Sequence, residues 1–189
     1  MNHTEAYLLR LRNDGKRRLA ACFLAYLTVS LIGSALSFLY FRSSSSTIRW
    51  MFAVPTNGFF PALRSAFSGQ AGAAEMMTVL FLSAFTMFQI PAATAVCFVR
   101  GASIGCLCAL GAAGRCAVSL PGLTLYLAAN ALLSLTAAFC SVYADGINHA
   151  HWAGEGRYAR SLTFEFLHVF LVPAGLCFLV GMGSQILLT

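Results

Sequence analysis

The sequence predicts an all-α protein, a polytopic transmembrane helical bundle of about five spans. Hydrophobic residues make up 59% of the 189-residue chain and charged residues only 10%, whereas a soluble domain carries roughly 25% charged residues. Several apolar runs are also long enough to cross a hydrocarbon core of roughly 30 Å as helices. A chain of this length cannot hide so much apolar surface from water, so we expect one domain with lipid as its solvent.

The chain begins with a basic segment, residues 1–18, and continues as a single transmembrane domain, residues 19–189. The basic segment directly precedes the apolar run Leu19–Phe41. That run is longer than the apolar region of a signal peptide, about 7 to 15 residues, so an uncleaved first span is expected. Because Lys and Arg concentrate on the cytoplasmic side, the pattern predicts a multi-pass protein of the cell membrane with a cytoplasmic N-terminus.

The first loop, 42–74, is rich in aromatic residues for a connection. Aromatic side chains between spans favour the headgroup interface, so one interpretation is a loop that lies on the outer membrane surface. The other interpretation is a partner-docking surface, and the two are compatible. The candidate docking residues are Trp50, Phe52, Phe59 and Phe60.

The second predicted span, Met76–Val99, contains two features that disturb a membrane helix. Pro91 lacks a backbone donor and favours a kink, and Gln89 has an amide that needs a partner. Both are tolerated in a bundle when a neighbouring helix satisfies the freed groups, so we expect packing and an interhelical hydrogen bond here. Arg100 then ends this apolar run, and its long side chain is expected to snorkel toward the interface.

Small residues recur every fourth position after Arg100. Gly101 and Gly105 begin this series, which lies on one face of a helix and lets another helix approach closely. The segment from Gly101 to Gly114 covers only about 21 Å. It is therefore either a short third span that extends to Ala117 or a re-entrant segment, and the second alternative leaves four spans.

Two further spans complete the prediction. Gly122–Tyr143 contains Asn130, whose amide can hydrogen-bond across helices, and Phe164–Leu188 is the last span. With five spans the cations divide eight to four in favour of the cytoplasmic side, and with four spans they divide seven to five. The positive-inside rule therefore favours five spans and a C-terminus outside.

The sequence offers little that indicates catalysis or a cofactor. Ser103 lies in a G-x-S-x-G pattern, but a nucleophile elbow needs a strand that leads into a helix, and a hydrophobic span precedes this serine. One E-x-x-H pair, Glu165 and His168, does not make a di-iron site, and H-E-x-x-H is absent. We therefore expect no enzyme, no metal and no cofactor, and the scattered cations do not indicate nucleic-acid binding.

The stretch FLSAFTMFQIPAATAVCFVRGASIGCLCALGAAG, residues 81–114, resembles the stage II sporulation protein M family. The matching features are a span with a break, the Arg100-Gly101 pair, Gly105, the Leu120-Pro121 pair and the amide of Asn130. The resemblance implies a multi-span anchor in a cell-envelope complex whose other members cut peptidoglycan during engulfment of the forespore.

Two functional hypotheses follow. The first is a non-enzymatic membrane scaffold that anchors and localises cell-envelope partners, with the lipid bilayer and membrane-anchored peptidoglycan hydrolases as its partners. The alternative is a component of a small-molecule or ion transporter, for which Gln89, Arg100 and Asn130 would line the path. A transporter would normally carry more buried charge and internal repeats, so the scaffold is preferred.

Overall fold

The computed structural model describes residues 3–43, 72–112, 119–152, 154 and 156–188. Across these residues the chain is helical and contains no strand. The helices are α1 His3–Ser43, α2 Gly72–Ser83, α3 Gln89–Ala112, α4 Leu120–Trp152 and α5 Gly156–Leu188. The predicted all-α bundle is confirmed. The candidate docking residues Trp50, Phe52, Phe59 and Phe60 lie outside the described residues.

Four of the helices are long and apolar enough to cross a membrane. Their apolar segments are Gly15–Arg42, Gln89–Ala112, Leu120–Asn148 and Arg160–Ser184, whereas α2 is a shorter apolar helix. The basic N-terminal segment and the first span form one continuous helix from His3 onward. Large apolar side chains on the outer faces, such as Leu31, Leu36 and Leu171, are exposed, as expected for a surface in contact with acyl chains.

The break in the central apolar stretch lies earlier than the sequence indicates. The sequence predicts one span from Met76 to Val99 and a break at Arg100, but α2 ends at Ser83 and a turn over 84–88 separates it from α3. Helix α3 then continues through Arg100 to Ala112. Pro91 explains the shift, because proline fits the first turn of a helix, where a backbone N–H has no partner in any case.

The helix directions follow from contacts at successive depths. Residue 101 of α3 lies against Ser30 of α1, and residue 105 lies against Ser34, so α1 and α3 are parallel. Helix α4 is antiparallel to α1, since its contacts with α1 run from Asn130–Ser30 through Ser141–Tyr26 to Asp145–Arg18. Helix α5 is antiparallel to α4, from Tyr143–Glu165 to Ala129–Cys177.

This arrangement fixes the path of the chain through the bundle. Since α1 and α3 run in the same direction, the chain returns between Ser43 and Gln89 to the side where α1 begins. Helix α2 belongs to this return. Helix α5 is parallel to α1, so it ends on the side opposite the start of α1.

An aromatic cluster fixes α2 against α5. Phe81 of α2 stacks on Phe166 of α5 with ring centroids 5.7 Å apart, and it also contacts Phe170 at 5.2 Å. Tyr143 of α4 also contacts Phe166, with ring centroids 5.9 Å apart. Phe166 is fully buried. The cluster holds α2 in the half of the bundle where α1 and α5 begin and α4 ends.

Candidate functional site

Arg100 lies near the middle of α3, about 17 Å from either end of the helix. Its side chain is far shorter than that distance, and the residue is only 7% exposed. Arg100 therefore lies inside a continuous helix and not, as the sequence indicates, at the end of one. Its Cα lies at mid-depth of the bundle, and its guanidinium reaches Tyr126, which lies about 9 Å from the start of α4.

The Arg100 guanidinium packs on the ring of Tyr126. Its Cζ atom lies 4.4 Å from the centroid of that ring, a cation–π contact between α3 and α4. Such a contact contributes about 2 kcal/mol when it is desolvated, whereas an arginine at the centre of a span costs at least about 2.5–3.5 kcal/mol. The contact thus offsets much of the smaller estimate of the cost of burying the arginine. It provides no hydrogen-bond acceptor for the five N–H donors of the guanidinium.

No carboxylate on the described helices lies within ion-pair distance of Arg100, and its guanidinium forms no hydrogen bond with a side chain or carbonyl in those ranges. The one salt bridge among the described residues joins Arg18 to Asp145 near the ends of α1 and α4. Its side chains are 66% and 72% exposed, so it contributes little to stability. The charge in the middle of the bundle has no acidic partner there.

Asn130 lies one helical turn after Tyr126 on α4, so the two side chains share a face. Its Nδ2 donates a hydrogen bond of 2.9 Å to the Oγ of Ser30 on α1. Its Oδ1 is buried and has no hydrogen-bond partner. Ser30 itself is buried. The amide therefore joins two helices and retains one unused polar atom.

The two glycines after Arg100 bring α3 into backbone contact with α1. A Cβ atom placed on Gly101 would collide with the carbonyl oxygen of Ser30, and one on Gly105 would collide with that of Ser34. Gly33 of α1 makes the reciprocal contact, since its Cβ atom would lie 2.5 Å from the carbonyl oxygen of Phe98. Small residues on both helices thus permit this close approach.

Gln89 and Pro91 lie at the start of α3 and help to form the turn before it. The Oγ of Ser83 donates to the Oε1 of Gln89 over 2.5 Å, which closes the turn between α2 and α3. The hydroxyl of Thr86 donates to the carbonyl oxygen of Ser83 at 2.9 Å. The Nε2 of Gln89 is buried without a hydrogen-bond partner. Gln89 is therefore part of a helix break and does not bridge two full-length spans.

The residues of the discarded catalytic patterns lie apart. Ser103 lies within α3, and its Oγ donates to the carbonyl oxygen of Val99 at 3.0 Å, so the local backbone is a helix with no elbow. His168 lies on α5, exposed, with its Nδ1 2.9 Å from the carbonyl oxygen of Phe164. Glu165 accepts a hydrogen bond of 3.2 Å from the hydroxyl of Tyr143. Within the described part of the chain no three potential metal ligands cluster.

Sequence reasoning missed the two partners that define the buried polar cluster, Ser30 and Tyr126. Both lie in apolar runs, where a serine or a tyrosine carries no distinctive signal. Ser30 lies in the middle of the run Leu19–Phe41, so its depth was an available clue, whereas Tyr126 is only the fifth residue of Gly122–Tyr143. Tyr26 and Ser141 share a hydrogen bond of 2.6 Å between α1 and α4. The sequence did not indicate this pair either, because both residues lie in apolar runs.

The fold and the buried polar cluster define a multi-pass helical membrane protein whose apolar bundle encloses one arginine at mid-depth. No protein-family model matches the chain, and no curated protein or solved structure is significantly similar to it.

Proposed function

We propose that this protein is a non-enzymatic integral membrane scaffold that anchors and localises cell-envelope partners. The observation that carries the proposal is how the bundle uses its buried polar side chains. The Ser30–Asn130 and Tyr26–Ser141 hydrogen bonds each join α1 to α4, and the Ser83–Gln89 bond joins α2 to α3. These groups hold helices together, which is what a rigid anchor requires.

The partner class comes from the resemblance to the stage II sporulation protein M family. In that family the multi-span protein holds peptidoglycan-cutting enzymes at the membrane during engulfment, and the same role is proposed here. The residues proposed for docking are those of the aromatic loop, Trp50, Phe52, Phe59 and Phe60.

The proposed orientation places the N-terminus in the cytoplasm of a bacterial cell. Helices α1 and α5 begin on one side of the bundle, and the cations near those helix starts share that side. They are Arg10, Arg12, Lys16, Arg17, Arg18, Arg157 and Arg160, whereas Arg42 lies at the opposite end of α1. Among the helix ends that the structure describes, this distribution supports a cytoplasmic N-terminus and an external C-terminus by the positive-inside rule.

The test is affinity purification of the tagged protein from native membranes in a mild detergent. The scaffold proposal expects a cell-envelope hydrolase to co-purify in stoichiometric amount. It also expects the Trp50→Ala and Phe52→Ala variants to lose that hydrolase while the chain itself stays folded and abundant. Leu31→Ala on the exposed face of α1 is the matched control and should retain it. Purification without any envelope protein would contradict the proposal.

A transporter component is the second candidate, and Arg100 is the observation that favours it. A buried cation at mid-depth is typical of substrate or ion pathways in membrane proteins. If the chain transports a solute, reconstituted protein should move that solute into liposomes, and Arg100→Gln should abolish the movement. A scaffold shows no such flux in either form.

A further inference from the structure

The Arg100 charge requires a counterion that the described helices do not supply. Asp145 and Glu165 lie toward helix ends and have their own contacts with Arg18 and Tyr143. Glu75, in the first turn of α2, is exposed and forms no ion pair with Arg100. An arginine enclosed at mid-depth without a counter-charge is costly. A group from outside this chain would remove that cost.

We propose that Arg100, Tyr126 and Asn130 form a binding site for a carboxylate supplied by another molecule. We call these three residues the Arg100 site. A planar guanidinium offers two parallel N–H donors that match the two oxygens of a carboxylate, which makes this group the best fit. The Cα of Arg100 lies about 17 Å from either end of α3, and Tyr126 lies about 9 Å from the start of α4.

The site is organised before any ligand arrives. The Cζ atom of Arg100 lies over the Tyr126 ring at 4.4 Å, a contact that uses none of the N–H donors of the guanidinium and leaves them for an incoming anion. Tyr126 and Arg100 are both buried, at 6% and 7% exposure. A carboxylate bound here would meet a charge in a low-dielectric surrounding, where an ion pair is stronger than at a surface.

Asn130 can supply a further donor to the same anion. Its Nδ2 is engaged by Ser30, whose hydroxyl can donate as well as accept. Rotation of the amide by half a turn lets Ser30 donate to Oδ1 and frees Nδ2 for the ligand. The unpaired Oδ1 of the present arrangement is the sign that one polar position of this amide is still available.

The carboxylate has two possible sources, which one experiment with two arms separates. It comes either from an acidic side chain on a transmembrane helix of a partner or from a small free carboxylate. The first source rests on the proposed scaffold function, whereas the second does not. The Arg100 site can therefore be correct if the scaffold proposal fails, and the scaffold proposal can be correct if the Arg100 site binds no carboxylate.

The first arm uses purified protein in detergent with sodium benzoate as the probe and neutral benzamide as its isostere. Binding should raise the thermal unfolding midpoint of the wild type in a saturable way, with no response to benzamide. Arg100→Gln should abolish the shift. Arg100→Lys keeps the charge but loses the two parallel N–H donors, so it should weaken binding about tenfold or more. This variant remains informative if Arg100→Gln fails to fold.

The second arm places a photo-crosslinking amino acid at Val99, which is exposed beside Arg100, in cells that contain the native partners. A crosslinked protein in the wild type that disappears in Arg100→Gln supports the partner source. The mass of the crosslinked product shows whether that partner is a second copy of this chain. Crosslinks from Leu31, on the exposed face of α1, should not depend on Arg100.

A positive result in either arm supports the site and identifies its source. A benzoate shift without an Arg100-dependent crosslink supports the site and counts against the scaffold. The proposal is overturned if the wild type shows no benzoate response and its Val99 crosslinks are the same in Arg100→Gln. It is also overturned if Arg100→Lys is folded and responds to benzoate as the wild type does.

Discussion

The Oγ of Ser30 accepts a hydrogen bond from the Nδ2 of Asn130 at 2.9 Å, and this bond joins α1 to α4 inside the bundle. The carbonyl oxygen of the same serine lies against Gly101 of α3. Ser30 therefore contacts two other helices, one through its side chain and one through its backbone. This junction lies beside Arg100, so the helices that enclose the charge are also those that the serine holds together.

The Ser30–Asn130 hydrogen bond should be measurable as a coupling between two positions. Ser30→Ala, Asn130→Ala and the double variant form a double-mutant cycle. The loss of unfolding free energy in the double variant should differ from the sum of the two single losses by about 0.6 kcal/mol, with about 1.7 kcal/mol as the upper bound for such bonds in membranes. Reversible unfolding in mixed micelles gives these values. Ser30→Ala paired with a change at exposed Leu127 is the control and should show no coupling; equal values in both cycles would contradict the prediction.

The close contact between α1 and α3 should make Gly101 and Gly105 intolerant of any side chain. Gly105→Ala places a methyl group onto the backbone of α1, so the helices must separate, and we expect a loss of about 1–3 kcal/mol. The thermal unfolding midpoint in detergent is the measurement. A Cβ atom placed on Gly175 of α5 would have no neighbouring atom within 4 Å, so Gly175→Ala should leave stability unchanged or slightly raise it.

The sequence is sufficient to predict the class of the fold, because apolar composition and run length report directly on the solvent that a chain faces. It is less informative about where one helix ends. A run such as 76–117 contains both Pro91 and Arg100, and either residue can interrupt it. In the structure Pro91 lies in the first turn of α3 and Arg100 in its interior. The sequence is equally consistent with a helix that contains Pro91 and ends at Arg100, and tertiary packing decides between the two.

The buried polar cluster shows the same limit. The sequence identifies Asn130, because an amide in a span needs a partner, but it does not identify that partner, because serines occur at many positions of α1. The depth of Arg100 depends on the extent of α3. Because that helix begins at Gln89, the burial of Arg100 follows from its distance to both ends.

The aromatic cluster should depend on Phe166 far more than on its near neighbour Phe164. Phe166 is fully buried among Phe81, Phe170 and Tyr143, whereas Phe164 is 67% exposed on the outer face of α5. Phe166→Ala leaves a cavity and should cost about 3 kcal/mol or more, and Phe164→Ala should cost far less. Chemical unfolding of both variants tests this. A similar loss for both would mean that the cluster does not fix α2 in place.

The directions of the helices predict which connections share a side of the membrane. Reporter domains inserted at Gly154, an exposed turn between α4 and α5, should behave like those fused to the N-terminus, whereas reporters fused after Thr189 should behave in the opposite way. With a cytoplasmic N-terminus, a green fluorescent reporter is expected to fluoresce at Gly154 and an alkaline phosphatase reporter to be active only after Thr189. The physical reason is that α4 is antiparallel to α1, so its end returns to the side where Arg18 meets Asp145. Phosphatase activity at both positions would require α5 to start and end on one side, which its antiparallel contacts with α4 do not allow.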